Sequence, residues 1–369
     1  MQIEEFSLER IQSLYENTVP YNLSDSGVHP YTLKELLTGE ELAGLQEIQL
    51  GYGWTNGAVE LRQAIAALYR DRTGDEVIVT NGSAEANFLL VSSLIDPGDE
   101  IVVITPNYLQ IHGWAMAIGA NVKTSALRPE NGWELDLDQI EDLVTDKTRL
   151  ITICHPNNPT GALLNPDQLD GLIDIARRHD VYLHGDEVYK GSELDGDEPM
   201  SIADLYEKGI ATSGLSKAMA LPGLRIGWLV GPAAEIYDTW RYKDYTSITT
   251  SALSEYIGQL VLAPKRRQAI LSRSKTILRE NRALLTDWIH QHPRFSFFPP
   301  KAGGMAFVSY RANIGSTALA HSLREEKGVL VLPGDVYGLD GYLRLGIGER
   351  KAQLEAGLER LGEHMQQFS

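Results

Sequence analysis

Short apolar runs that stop repeatedly at polar, Gly- or Pro-bearing turns, with helical patterns between them, leave a chain few ways to fold. Here Val77–Thr80 stops at Asn81-Gly82-Ser83, and 101–105 stops at Pro106-Asn107-Tyr108. The run 150–154 stops at His155-Pro156-Asn157-Asn158, and 181–184 stops at Gly185-Asp186-Glu187. Helical patterns over 59–69, 84–94 and 166–179 separate them, and 210–213 and 224–230 add two more strand-length runs. Such alternation predicts βα units, which assemble into a large, mostly parallel α/β/α sheet domain. In an open sheet of this kind the ligand crevice lies at the carboxyl ends of the strands, where all four turns fall. After Pro232 the pattern becomes helical to about His290. Strands near 305–310, 329–332 and 342–345 and a helix over 351–365 then read as a smaller α+β domain. The expected division is an N-terminal arm that joins the small domain (1–48), a large domain (49–245) and a C-terminal small domain (246–369).

Charge narrows the partners. A formal net charge of -17 argues against nucleic acid and against anionic membranes, both of which draw on basic patches. The one cysteine, Cys154, lies in an apolar run, so no internal disulfide is available and a reduced, buried thiol is expected. The start, MQIEEF, has neither a basic nor an apolar leader, and we expect a cytoplasmic protein with no metal site.

The stretch Ser213 to Trp228, SGLSKAMALPGLRIGW, concentrates the chemistry. Lys217 stands among small residues (Ser216, Ala218, Ala220, Gly223) that leave room for a planar ligand, and Pro222-Gly223 turns the chain so that Arg225 comes back towards it. A lysine that traps a carbonyl must lose its proton, which calls for burial or cationic neighbours. A lysine for an aldehyde beside an arginine for a phosphate is what pyridoxal phosphate (PLP) requires. Gly82-Ser83-Ala84, with Ser83 as N-cap, offers helix-start N–H groups to an anion. Asp186 at the base of the crevice suits a protonated pyridine nitrogen, which makes the ring an electron sink. Asn158 and Tyr189 can donate to a phenolate oxygen, and Tyr108 can stack on a ring. Each also has a plain structural use, Asp186 and Asn158 as turn residues and Tyr108 as packing.

In this order the motifs NNPTG, DEVY and SKAMALPGLRIGW resemble the fold type I PLP enzymes of the class I/II aminotransferase superfamily. The resemblance runs from about Tyr52 to Arg344. It implies Lys217 as the cofactor-bearing, proton-carrying lysine, with Arg225 and Gly82, Ser83 and Ala84 at the phosphate. It also implies Asp186 at the ring nitrogen, Asn158 and Tyr189 at the ring oxygen, and Tyr108 stacked on the ring. Tyr52, in Y-x4-G-x3-L-R, matches a tyrosine that reaches the phosphate of a neighbouring subunit, which implies a homodimer with shared sites. Arg344, in YLRLGIG, matches the arginine that pairs with an amino-acid substrate's α-carboxylate. One departure stands out: where many relatives have Ser or Thr three residues before the lysine, this chain has Gly214. Ser213 or Ser216 then supplies the phosphate hydroxyl, or that contact is missing; Ser216 is the candidate retained.

The segment 23–28 with Tyr31, and Asp244-Tyr245-Thr246 followed by Thr249-Thr250-Ser251, are similar to capreomycidine synthase-like hydroxyarginine cyclases. That likeness implies a PLP-dependent cyclase/dehydratase that makes a cyclic guanidino amino acid of capreomycidine or enduracididine type. Glu9, Asp25 and Gly27 become substrate candidates, the two acids as guanidinium partners. The alternative is an aminotransferase with a 2-oxo acid acceptor, which needs the same cofactor cage.

Overall fold

The computed structural model describes residues 3–368. Its strands are β1 (Tyr21–Asn22), β2 (Val77–Thr80), β3 (Glu100–Thr105), β4 (Asn121–Ala126), β5 (Thr148–Cys154), β6 (Tyr182–Asp186), β7 (Gly209–Gly214), β8 (Gly227–Val230), β9 (Phe295–Phe297), β10 (Met305–Tyr310), β11 (Val329–Leu330), β12 (Leu332–Pro333) and β13 (Tyr342–Gly346). Seven form the large sheet in the order β2-β8-β7-β6-β5-β3-β4, and only β8 runs against the others. Strands β2, β3 and β5 are buried over most of their length and mainly apolar, because helices cover both faces of the sheet.

Three expectations need correction. Strand β4 was not anticipated, because NVKTSA at the sheet edge keeps most of its side chains partly exposed and so carries no apolar run. The run 224–230 is strand only from Gly227: Pro222–Leu224 is a single 3₁₀ turn, and Arg225 takes a left-handed conformation with φ 51°. The stretch 329–332 is two strands in two sheets. β11 pairs in parallel with β1, and β12 pairs antiparallel with β13, so the edges on either side of Val331 are claimed by different partners.

The smaller unit is the antiparallel sheet β12-β13-β10-β9, packed with the helices Ser316–Lys327 and Lys351–His364 and the long helix Pro264–Gln291. Its core includes Leu278, Leu285, Val308, Leu343, Leu345 and Leu358, and it takes in Leu23 and Val28 from the arm. Burying each such side chain stabilises by roughly 1.5–3 kcal/mol, so the loop between Leu23 and Val28 is fixed at both ends. Gly348 lets it lie close, since a Cβ there would fall on the carbonyl of Gly27. The arm helix Ser7–Tyr15 packs the other way, with Leu8 in the core beneath the large sheet beside Ile104 and Ile151. Among the described residues no helix is long and apolar enough to cross a membrane.

Candidate active site

Beyond the carboxyl ends of β5, β6 and β7 lies a cavity of about 390 Å³. At one end, β2 runs into Asn81-Gly82 and then into the helix Ser83–Leu94. Ser83 is not the N-cap: Gly82 holds that place with φ 82°, and no side chain caps the helix. A side chain at Gly82 would strike the Arg225 guanidinium, so glycine is what admits the arginine over the helix start. Arg225 is steadied by donation from Nη1 to the Pro222 carbonyl (3.0 Å) and from Nη2 to the Asn81 carbonyl (3.4 Å). Uncapped N–H groups facing a guanidinium make an anion site. Ser216 lines the cavity, whereas Ser213 donates its hydroxyl to the Glu187 carbonyl at 3.1 Å.

On the floor, buried Asp186 closes β6 and accepts hydrogen bonds from Asn87 Nδ2 (3.1 Å) and the Val188 N–H (3.3 Å). Burial pushes its pKa up, against the pull of those donors and of the Lys217 charge. Among the described residues it has no ion-pair partner, although it lines the cavity. A buried carboxylate in that position is matched to a cationic ligand group.

The wall is built around Arg344, which is only 1% exposed. Its Nη1 donates to Asn158 Oδ1 (3.0 Å) and to the Tyr337 hydroxyl (2.7 Å), and its Nη2 donates to the Ser24 carbonyl. Nε has no partner among the described residues. One N–H on Nε and one on Nη2 therefore remain, the pair that grips a carboxylate side-on. Asn158, with its oxygen committed to Arg344, keeps its amide N–H groups for the cavity. The Tyr189 hydroxyl donates to Ser26 Oγ at 2.8 Å.

The mouth is acidic. Lys217 Nζ lies 3.0 Å from Asp25 Oδ1, which also accepts the Gly27 N–H at 2.9 Å. Burial would raise the Asp25 pKa, but the Lys217 charge, the Gly27 N–H and Arg344 outweigh it and hold it at about 2. Gly27 itself packs on the lysine, with a Cβ there 3.4 Å from Lys217 Cδ. The arm helix presents Glu9, Gln12 and Glu16 to the same cavity at spacings of three and four, one face of the helix and its end. Glu9 Oε1 accepts the Tyr108 hydroxyl at 2.5 Å. Burial, with Asp25 and Glu9 as like charges, pushes the Glu16 pKa up.

Lys217, Ser83, Ala84, Tyr108, Asn158, Asp186, Tyr189, Ser216, Arg225, Arg344 and Glu9 thus meet in one cavity. Asp25 and Gly27 join it through Lys217, and Gly82 stands behind Arg225. Tyr52 is not there: it is 89% exposed on a loop outside the cavity. Sequence reading missed Glu16 and Gln12, although their spacing from Glu9 was a usable signal. It also missed Asn87, one turn beyond Ser83, and Tyr337, which nothing in the sequence marks.

The family model described as aminotransferase class I and II matches residues 21–361, and the chain belongs to that family. Capreomycidine synthase of Streptomyces vinaceus is 34% identical over 349 residues, which are 93% of this chain and 89% of that protein. The arginine–pyruvate transaminase AruH of Pseudomonas aeruginosa is 30% identical over 312 residues, 80% of this chain and 77% of the relative. The crystal structure of the PLP-dependent cyclase OrfR matches with a TM-score of 0.91 at 26% identity, covering 100% of this chain and 98% of that one.

The protein is therefore a fold type I enzyme whose cofactor is pyridoxal 5'-phosphate. The residues present fit that group. Arg225 and the start of the helix at Ser83 suit the phosphate, Asp186 without a cation of its own suits the pyridinium, and Lys217 Nζ in the cavity suits the aldehyde.

Proposed function

We propose that this enzyme is a cyclase/dehydratase that converts a hydroxylated L-arginine into a cyclic guanidino amino acid. The observation that carries the reading is the charge balance of the cavity. Arg225 answers the cofactor's phosphate, Asp186 its ring nitrogen, and Arg344 the substrate's carboxylate. Glu9, Glu16 and Asp25 are then left with Lys217 as their one cation among the cavity residues. A substrate with a cationic side chain makes good that deficit, and the planar donors of a guanidinium suit several carboxylates at once. The likeness to capreomycidine synthase and to a PLP-dependent cyclase supports the same reading.

Bound pyridoxal phosphate supplies an aldehyde for the substrate's amino group and an electron-withdrawing ring that acidifies Cα–H. Arg344 orients the substrate by its carboxylate, and Asp186 keeps the ring nitrogen protonated. Lys217 Nζ takes the Cα proton and returns one to the departing hydroxyl, while Asp25 holds the amine in place. A 3-hydroxyl leaves Cβ as water, and attack of a guanidine nitrogen on Cβ closes a six-membered ring. A 4-hydroxyl leaves after a Cβ proton is also removed, and attack on Cγ closes a five-membered ring. In each route one of the protons removed leaves in the water and the rest, including the one lost by the attacking nitrogen, return to carbon, so both are redox-neutral and need no amino acceptor.

The reading includes a homodimer. Leu50, Tyr52, Trp54 and Tyr245 are exposed on two loops that meet where Gly53 lies beside Thr249, an apolar surface that suits a second copy. The likeness to arginine–pyruvate transaminase favours a second reading, transfer of the amino group from an arginine-type substrate to a 2-oxo acid. The test is to offer each hydroxyarginine isomer with no keto acid and follow product mass. Multiple turnovers to a product lighter by one water support the cyclase. Turnover only with pyruvate or 2-oxoglutarate makes it a transaminase.

A further inference from the structure

Behind Asp186 runs a line of buried polar side chains that crosses three neighbouring parallel strands. Asn87 Nδ2 donates to Asp186 Oδ2 at 3.1 Å, and its Oδ1 accepts the Thr212 hydroxyl at 2.8 Å. Thr212 Oγ1 lies 3.0 Å from His184 Nε2, and His184 Nδ1 lies 2.8 Å from Thr152 Oγ1. All five residues are buried. Thr152 faces His184 in the β5–β6 register, and Asp186 faces Thr212 in the β6–β7 register.

Donor and acceptor chemistry gives the line one direction. An ionised carboxylate only accepts, so Asn87 must turn its N–H2 to Asp186 and its carbonyl to Thr212. The second Asn87 N–H points to Gln110 Oε1 at 3.4 Å, and Gln110 Nε2 donates to the Ala84 carbonyl at 2.8 Å, which leaves Oε1 free to accept. The Thr212 hydroxyl, having donated to Asn87, must accept from His184. His184 is therefore the Nε2–H tautomer, and its Nδ1 accepts from Thr152. Burial holds the imidazole pKa down at about 3, in keeping with a neutral ring.

We propose that Thr152, His184, Thr212 and Asn87 form a one-way hydrogen-bond relay that holds the Asn87 amide towards Asp186, and so sets the carboxylate that meets the cofactor's ring nitrogen. His184 and Thr212 are positioning residues in this relay, and they act through Asn87. The inference rests on the family's cofactor and is independent of whether cyclisation or amino transfer follows.

Two measurements test it. In ¹⁵N-histidine-labelled holoenzyme, His184 should be neutral and protonated on Nε2 from about pH 6 to 8. Thr212→Val, close in shape but without a hydroxyl, removes the link on both sides. It should weaken pyridoxal phosphate binding about tenfold, the low end for a hydrogen bond to a charged group. Thr212→Ser should restore it to within about twofold. The NMR result needs no variant, so it decides even if Thr212→Val folds poorly. A proton on Nδ1, a charged His184, or a folded Thr212→Val that binds the cofactor like wild type would each overturn the relay.

Discussion

Asp25 and Lys217 are 192 positions apart in the chain, yet Asp25 Oδ1 stands 3.0 Å from Lys217 Nζ. The loop between Leu23 and Val28 is pinned into the core of the smaller unit, whereas Lys217 follows a strand of the large sheet. The pair therefore places an acid from the arm at the amine proposed to carry the cofactor.

The first prediction follows from that contact. Borohydride reduction of the holoenzyme should fix the cofactor on Lys217, read by peptide mass. Lys217→Ala should slow Cα-proton exchange by roughly 10²–10⁴-fold, the weight of a positioned acid–base group. Asp25→Asn should keep the label on Lys217 and slow exchange in D₂O by about fivefold, because a pair whose acid is 41% exposed is worth about 1 kcal/mol or less. Label on a different lysine would remove the site assignment.

Arg344 leads to the second. Lysine has a point charge and no planar fork, so Arg344→Lys cannot keep Asn158, Tyr337 and Ser24 and still grip a carboxylate side-on. KM for the amino acid should rise about 10²-fold while the absorbance of bound cofactor persists. Tyr337→Phe, which leaves one Nη1 hydrogen unmatched in a buried setting, should raise KM about fivefold. An unchanged KM in both would mean that the carboxylate is held elsewhere.

Much of this was legible before the structure, for physical reasons. The strands β2, β3 and β5 are largely buried and announce themselves as apolar runs, and several side chains proposed to meet the cofactor follow their ends. Strand β4 did not announce itself, because an edge strand is free to be polar. Ser83 looked like a cap from composition, but the approach of Arg225 puts glycine in the capping place. Tyr337 and Asn87 act only through partners that the fold delivers, Arg344 and Asp186, and no local pattern encodes such meetings.

Glu187 supplies a pH prediction. It is buried, with Oε1 accepting from Ser201 Oγ and the Ile202 N–H and with Oε2 4.0 Å from Lys190 Nζ but without a hydrogen bond among the described residues. Burial lifts its pKa from 4.5 to about 7, against Lys190 and those donors. Between these values the unfolded chain gives up the proton and the folded one keeps it, so stability falls as pH rises through that window. Glu187→Gln removes the titration. Its advantage over wild type in denaturant unfolding should grow from about pH 5 to 8, by at most about 3 kcal/mol. Parallel stability curves for the two proteins would show that Glu187 is not the group involved.

Tyr52 gives a prediction about assembly. Because it is exposed outside its own cavity, the phosphate role proposed for it requires a second copy. Tyr52→Phe should weaken cofactor binding by about 0.5–1.5 kcal/mol. Mixing Tyr52→Ala with Lys217→Ala subunits should give mixed dimers in which one of the two sites is intact, with a cofactor affinity that active Tyr52→Ala dimers do not reach. A fully active monomer in sedimentation would end the shared-site reading.

The last prediction addresses the substrate. If Glu9 and Glu16 meet a guanidinium, what they recognise is charge, and a neutral urea in its place should be rejected. Wild type should therefore prefer a hydroxyarginine to the hydroxycitrulline of the same shape by about 10²-fold in kcat/KM, as expected for two partly desolvated carboxylates. Glu9→Gln and Glu16→Gln should each reduce that ratio about tenfold, chiefly by raising KM for the cationic substrate. The two need not be equal. Glu9 also holds the Tyr108 hydroxyl, so its loss should disturb cofactor absorbance as well. Glu16 carries no such bond to a cavity side chain, and its glutamine variant should leave that absorbance unchanged. Discrimination that survives both substitutions would place the cation elsewhere in the cavity and remove the main support for an arginine-type substrate.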